Sequence, residues 1–431
     1  MTAEVTIADG ARLTPHPMRA AVLGEVHARP FTPLTSPCRL LHFAFETTSE
    51  AAKADRAALA EFCARRGLDP LRENAKQHRL AFGGSVLRWE QHSEFTTYTW
   101  ELAGDGTPFD PAASALASAM AELPQPGPVL VALDLHLIAG ALDNFEALFE
   151  RASVAVAENR EADALFATDF QPDPGGFVRI LVLDRGMSPD RAGALAQRLI
   201  ELETYRTLAL LGLPEAQRLG PSIHRIETRL AEVTDQMRHS EGLTGNNRLL
   251  DELTALAAEL EAGAAASLYR FGASRAYNEI VQMRLATIGE RPVDGFPTWS
   301  AFLARRMQPA MRTCTTTEER QANLSQKLAR AANLLRTRVD VEVEQQNRDL
   351  LKSMNARTRL QLRLQTTVEG LSVAAISYYV VGLFAHIAEG AAAEGVHVNV
   401  RLATALFVPV AVLAIWWIVR RIRRRHIAAK E

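Results

Sequence analysis

Two apolar runs near the C-terminus constrain this chain more than any other feature. Leu402 to Val419 is 18 residues without a charge, and Val368 to Ala388 is 21 residues with one acid, Glu369. Each is near the ~20 residues that a helix rising 1.5 Å per residue needs to cross ~30 Å of hydrocarbon. A buried core helix is the competing reading, and the flanks argue against it. Lys352, Arg357, Arg359 and Arg363 precede the first run, and Arg420, Arg421, Arg423, Arg424 and Arg425 follow the second. The 13-residue connection, 389–401, has Arg401 as its one Lys or Arg. Basic residues gather on the cytoplasmic side of spans, so the sequence predicts two spans with both termini cytoplasmic and a short outer loop. Trp416 and Trp417 fall near the inner end of the second span, where interfacial aromatics belong. The start, MTAEVTIADGARL, lacks a basic region followed by an apolar stretch, so no cleavable signal peptide is expected. The expected location is the inner membrane of a bacterium.

The overall charge hides this segregation. Lys plus Arg number 48 against 50 Asp plus Glu, which excludes a globally basic nucleic-acid binder and a polyacidic disordered chain alike. Three widely spaced cysteines, Cys38, Cys63 and Cys314, do not make a disulfide framework or a Cys-rich zinc site.

The pattern predicts an α+β chain. Residues 1–187 read as a mixed or mostly antiparallel sheet with a few helices. Residues 1–37 are proline-rich, with room for one short helix between Pro17 and Ala28. A strand is expected over Cys38–Glu46, then a helix capped by Ser49 and stopped at Gly67. Ser85–Gln91 and Glu94–Glu101 read as a β-hairpin. Val129–His136 reads as a strand or the start of a helix leading to Phe149. Ser153–Ala157, Ala164–Phe170 and Phe177–Asp184 are further short strands. Residues 188–317 read as a helical domain opened by Ser188 as cap and Pro189 at the first helical position. A stripe from Ile223 to Met237, a break at Gly242–Asn247 and a second stripe from Leu249 to Leu260 predict a helical hairpin. Ala264–Ile288 and Trp299–Met311 read as separate helices. Residues 318–367 then form a long stalk helix, followed by the first span (368–388), the outer loop (389–401), the second span (402–419) and a basic tail (420–431). Along the stalk, Leu328, Ala332, Leu335, Val339, Val343, Leu350 and Met354 fall in an 11-residue repeat, the spacing of a straight or slightly right-handed bundle. That stripe suits either the chain's own hairpin or a stalk shared between subunits.

Few residues suggest chemistry. Glu90, His92 and Glu94 alternate as metal ligands on a strand would, but a solvated ionic ladder has the same spacing. Glu25, His27 and Arg29 in EVHARP read as a local ionic knot rather than a ligand set. No phosphate-binding glycine loop, HExxH or GxSxG occurs. No catalytic, cofactor-binding or metal-binding residue is therefore expected. Within the first span, Ser372, Tyr379 and His386 stand seven apart on one helical face, with Ala375 and Gly382 between them. Such a polar stripe must meet protein or water, so it predicts helix packing or a pore lining.

Three stretches, HPMRAAVLGEVHARPF (16–31), RWEQHSEFTTYTWE (88–101) and FGASRAYNEIVQMRLATIGERPVDGFPTWSAFLARRMQPAMRTC (271–314), resemble a bacterial family of predicted membrane-anchored proteins of unknown function. TVEGLSVAAISYYVVGL (367–383) fits the same family's membrane entry. The resemblance covers the chain and implies no activity, because the family has no established catalytic residues. In layout alone, a long helix entering the first of two C-terminal spans is similar to the CorA-type magnesium channels. Their Gly-Met-Asn signature is missing here, where FAHIAEG (384–390) stands in its place. The expectation is a non-enzymatic, membrane-anchored, self-associating scaffold or partner-binding protein whose partners are the lipid bilayer and other proteins, not nucleic acid. The alternative is a homo-oligomeric, CorA-like ion channel.

Overall fold

The computed structural model describes residues 31–393 and 399–428, apart from 73–74, 105, 110–122 and 124, with 5–6, 12–13, 16–19 and 22–23 before them. The EVHARP motif and most of the helix expected after Pro17 lie outside the described residues. The chain divides into two units, Met1–Asp235 with Leu253–Arg330, and Gln236–Glu252 with Ala331–Glu431. Two-residue strands β1 (Val5–Thr6) and β2 (Arg12–Leu13) pair with each other.

The first unit is built on a nine-stranded mixed sheet. In chain order its strands are β3 (Cys38–Glu46), β4 (Gln77–Phe82), β5 (Ser85–Gln91), β6 (Phe95–Ala103), β7 (Val129–Ala139), β8 (Ala155–Glu158), β9 (Ala164–Pro172), β10 (Val178–Asp184) and β11 (Arg291–Pro292). They lie in the order β11-β8-β9-β10-β7-β3-β6-β5-β4, and β10 with β7 is the parallel pair. Alternation along β7 sends its side chains to two faces. Leu133, Leu135 and Leu137 enter a core shared with Leu195, Leu199 and Leu202 of helix α2 (Pro189–Leu210). Trp299, Phe302 and Met307, from the start of helix α5 (Trp299–Ala393), fill the same core. The Trp299 indole is buried, donates to the Ala155 carbonyl at 3.2 Å and packs edge-on to Phe166. On the opposite face, Leu59, Phe62 and Cys63 of helix α1 (Ser49–Arg66) cover Trp89, Tyr98 and Trp100.

Local signals explain most boundaries. Ser188 caps α2 through its hydroxyl, with Pro189 in the first turn. The cap of α1 is Thr48 rather than Ser49: its extended backbone lets its hydroxyl accept from the Ala51 amide at 3.2 Å. The expected two-stranded hairpin has a third strand, β4, joined to β5 by Gly83–Gly84, both at positive φ. Val129–Ala139 is strand throughout, and the segment before Phe149 is one short 3-10 turn, Phe145–Leu148.

The helical region has fewer breaks than its sequence suggests. Helix α3 (Gly212–His239) turns back near Gly242, and helix α4 runs unbroken from Leu243 to Ile288. The expected break over Gly242–Asn247 is thus confined to its first residue, and Ala264 starts no new helix. Helix α5 passes through Pro309 and continues to Ala393, 95 residues in all. Helix α6 (Val400–Ala428) ends the described chain. The molecule is 64% helical by residue and 17% strand.

Candidate membrane anchor and exposed helical face

Both apolar runs fold as helices long and apolar enough to cross a membrane. They pack on each other through a narrow seam. Ser377 of α5 is 5% exposed, and Phe384 stacks on Phe407 of α6 with ring centroids 4.0 Å apart. Ala411 and Ile415 continue the seam on α6 at one-turn intervals. The remaining faces carry Leu371, Leu383, Leu402, Leu406 and Leu413, each 63–74% exposed.

The polar stripe lies on the other side of α5. At 100° per residue, Tyr379 is separated by about 160° from Ser377 and about 140° from Phe384. Tyr379 is 76% exposed, and the His386 side chain is 82% exposed with Nδ1 3.6 Å from Glu389. The Ser372 hydroxyl donates to its own helix at the Val368 carbonyl, 2.8 Å away. The three residues share a face, and that face is turned away from α6. At the far end of α6, the Arg420 and Arg421 guanidinium groups lie over Trp416 and Trp417, 4.8 and 5.0 Å from the ring centroids. Indoles topped by cations match an interfacial band. Arg423, Arg424 and Arg425 continue the same helix.

The stalk stripe divides. Leu335 is fully buried, and the surrounding turns are tied to the α3–α4 tip: Arg338 donates to the Met237 carbonyl, and Asn246 to the Glu342 carboxylate at 3.0 Å. Leu350 and Met354 are exposed. The 11-residue pattern therefore marks the chain's own core in its first half and a free surface in its second.

The Glu90, His92 and Glu94 set is dispersed. Glu90 is buried 4.0 Å from Arg88, His92 stacks on Phe95, and Glu94 pairs with Arg270. Among the described residues, no three His, Cys, Asp or Glu side chains are grouped to hold a metal.

A buried ionic row crosses the sheet at its centre. Arg39 of β3 donates through Nε and Nη2 to both carboxylate oxygens of Asp134, each at 2.9 Å. His136 Nε2 stands 3.2 Å from the same carboxylate. Arg179 on β10 is beside Asp134 in register and pairs with Asp169 at 3.6 Å. Burial alone would raise the Asp134 pKa; hydrogen bonds from His136 and Arg39 outweigh it and hold the carboxyl below its ordinary value. These groups pair with one another across neighbouring strands, although the buried Arg179 Nε has no hydrogen-bond partner among the described residues, and the pairing fixes strand register. The sequence carries a signal for it: Asp134 and His136, two apart in VLVALDLHLIA, must share a face of an otherwise apolar strand.

The family model described as protein of unknown function (DUF3422) matches residues 14–426, and the chain belongs to that family. The comparison with curated proteins finds no match.

Proposed function

We propose that this member of the DUF3422 family is a membrane-anchored, non-enzymatic scaffold. In this reading α5 and α6 cross the bacterial inner membrane as a hairpin with both termini cytoplasmic. The α/β unit then stands on the cytoplasmic side, where copies assemble and engage partners. The observation that carries it is the surface of the hairpin: leucine after leucine exposed on helices capped by indoles and arginines. Taking one such side chain out of water is worth ~1.5–3 kcal/mol, so the five exposed leucines named above favour a bilayer by roughly 10 kcal/mol. A reporter active only in the periplasm should be silent when fused after Glu431 and active when inserted near Glu394. The reverse pattern would sink the topology.

The alternative, a channel of CorA-like layout, draws on the uncovered stripe. If Tyr379 and His386 line a pore, Tyr379→Phe and His386→Leu should change ion flux in proteoliposomes and leave assembly intact. Proteoliposomes of the natural chain that pass no small ion tested would end that reading.

A further inference from the structure

We infer that α5 carries one parallel seam for a second copy of this chain, continuous from the stalk into the membrane span. The inference rests on the anchoring proposed above and names the partner. Counting in sevens from Asn347 reaches Met354, Gln361, Val368, Ala375 and Gly382. These positions are exposed, apart from half-buried Gly382, and none faces α6. Seven residues fall only ~20° short of two full turns, a drift that a left-handed supercoil absorbs. Leu350, Leu364, Leu371 and Tyr379 flank the line, all exposed. The charges of the stalk avoid it: Arg348, Asp349, Lys352, Arg359 and Arg363 occupy the outward positions, with Arg357 the exception at the seam's edge.

What covers such a face follows from where it runs. A soluble protein would cover the stalk half and leave the membrane half bare. Lipid would cover Val368 and Ala375 but has nothing for the Tyr379 hydroxyl, which needs a partner in hydrocarbon. An occupant with both halves, in the same order and spacing, is another copy of α5. A shared membrane fixes two copies parallel and at equal height, so each residue meets its own equivalent. Asn347 and Gln361 then face themselves, where paired amides set register as polar residues do inside coiled coils. Gly382 supports this contact. A Cβ there would meet nothing within 4 Å in its own chain, so the protomer does not require glycine at that position. Close approach of a second helix does.

The test uses the full chain in native membranes, with single cysteines placed along α5 and a mild oxidant. The three native cysteines are buried, so the unaltered chain is the blank. Met354→Cys, Gln361→Cys, Val368→Cys and Ala375→Cys should yield disulfide-linked dimer. Lys352→Cys, Arg359→Cys, Thr366→Cys and Ser377→Cys should give roughly tenfold less. Thiols across a seam come within Cβ separations of about 3.5–4.5 Å, while those on far faces stay about a helix diameter apart. Gly382→Leu, which has room in the protomer, should suppress the Ala375→Cys product. Equal yield on all faces, or a seven-residue pattern that stops before Val368, overturns the inference. Alkaline extraction of the same membranes separates the two readings. Release of the chain overturns the anchoring itself; retention without the seven-residue pattern overturns the seam alone.

Discussion

Replacing Arg39 with methionine isolates what the buried ionic row contributes. The substitution keeps most of the side-chain volume and removes both hydrogen bonds to Asp134, whose side chain is 7% exposed. The carboxylate is left with His136 alone at 3.2 Å. Breaking a buried pair by deleting one partner costs about 3–5 kcal/mol, because the other charge stays desolvated. With about 2 °C of Tm per kcal/mol in a large unit, the transition of the α/β unit should fall by roughly 6–10 °C near pH 7. Acid should narrow the gap. The folded pKa of Asp134 lies below its unfolded value, so the pair's stabilisation is complete above the unfolded carboxylate range of about 4. It is lost as pH falls through the folded value, and the two proteins should then converge. Scanning fluorimetry of the detergent-solubilised chain between about pH 7 and pH 3 measures both effects. Arg191→Ala, which removes a more exposed arginine bridging Glu161 and Asp163, should cost only ~0–1 kcal/mol. Pairing Arg39→Met with Asp134→Leu should recover part of the loss, since no orphaned charge remains. A shift below about 2 °C at neutral pH, or a deficit that grows in acid, would refute the reasoning.

Two further predictions concern the stalk and the core. Leu335→Asp places a charge at a fully buried position and should unfold the helical tip, whereas Leu350→Asp, at a site 60% exposed, should leave protomer melting unchanged and weaken self-association as measured by particle mass. His42 lies between the Thr99 and Thr204 hydroxyls at 2.8 and 3.1 Å, where burial and the nearby Arg88 push its pKa down to about 3. Below its unfolded value of ~6.5 the unfolded chain takes up the proton first, so stability should fall with acid down to about pH 3 at up to ~1.4 kcal/mol per pH unit. His42→Gln should flatten that slope in a pH series of denaturant melts; an unaltered slope would assign the proton to another group.

Features set by neighbouring residues were legible in the sequence. Strands Cys38–Glu46 and Ser85–Gln91, the Ser188 cap with Pro189, and both apolar helices follow from alternation, capping chemistry and composition over a short window. Features set by what packs alongside were not. Leu328, Leu335, Leu350 and Met354 look alike as a repeat, yet the first two are buried and the last two bare, because the α3–α4 tip reaches only as far as Glu342. The polar stripe was visible as a face of the first span, but periodicity does not say which face meets α6; Ser377 and Phe384 took that place. The ionic row joins residues 39, 134, 136, 169 and 179, which only sheet order brings together. The unbroken α4 shows packing overriding local punctuation: Gly263 sits mid-helix against Leu219 of α3, and no break is made there.

The order in which the core is completed has a consequence for biosynthesis. The sheet's outer strand, Arg291–Pro292, and the core-filling Trp299, Phe302, Met307 and Met311 come from the far side of a 46-residue helix. The α/β unit therefore cannot close until the ribosome has passed Met311. From there 56 residues separate Met311 from Val368, where the first apolar run begins. At about 5–20 residues per second, that spacing gives the core about 3–11 s before the first apolar run is made. The long helix thus acts as a delay line, holding back both apolar runs until the residues that complete the sheet's core have been made.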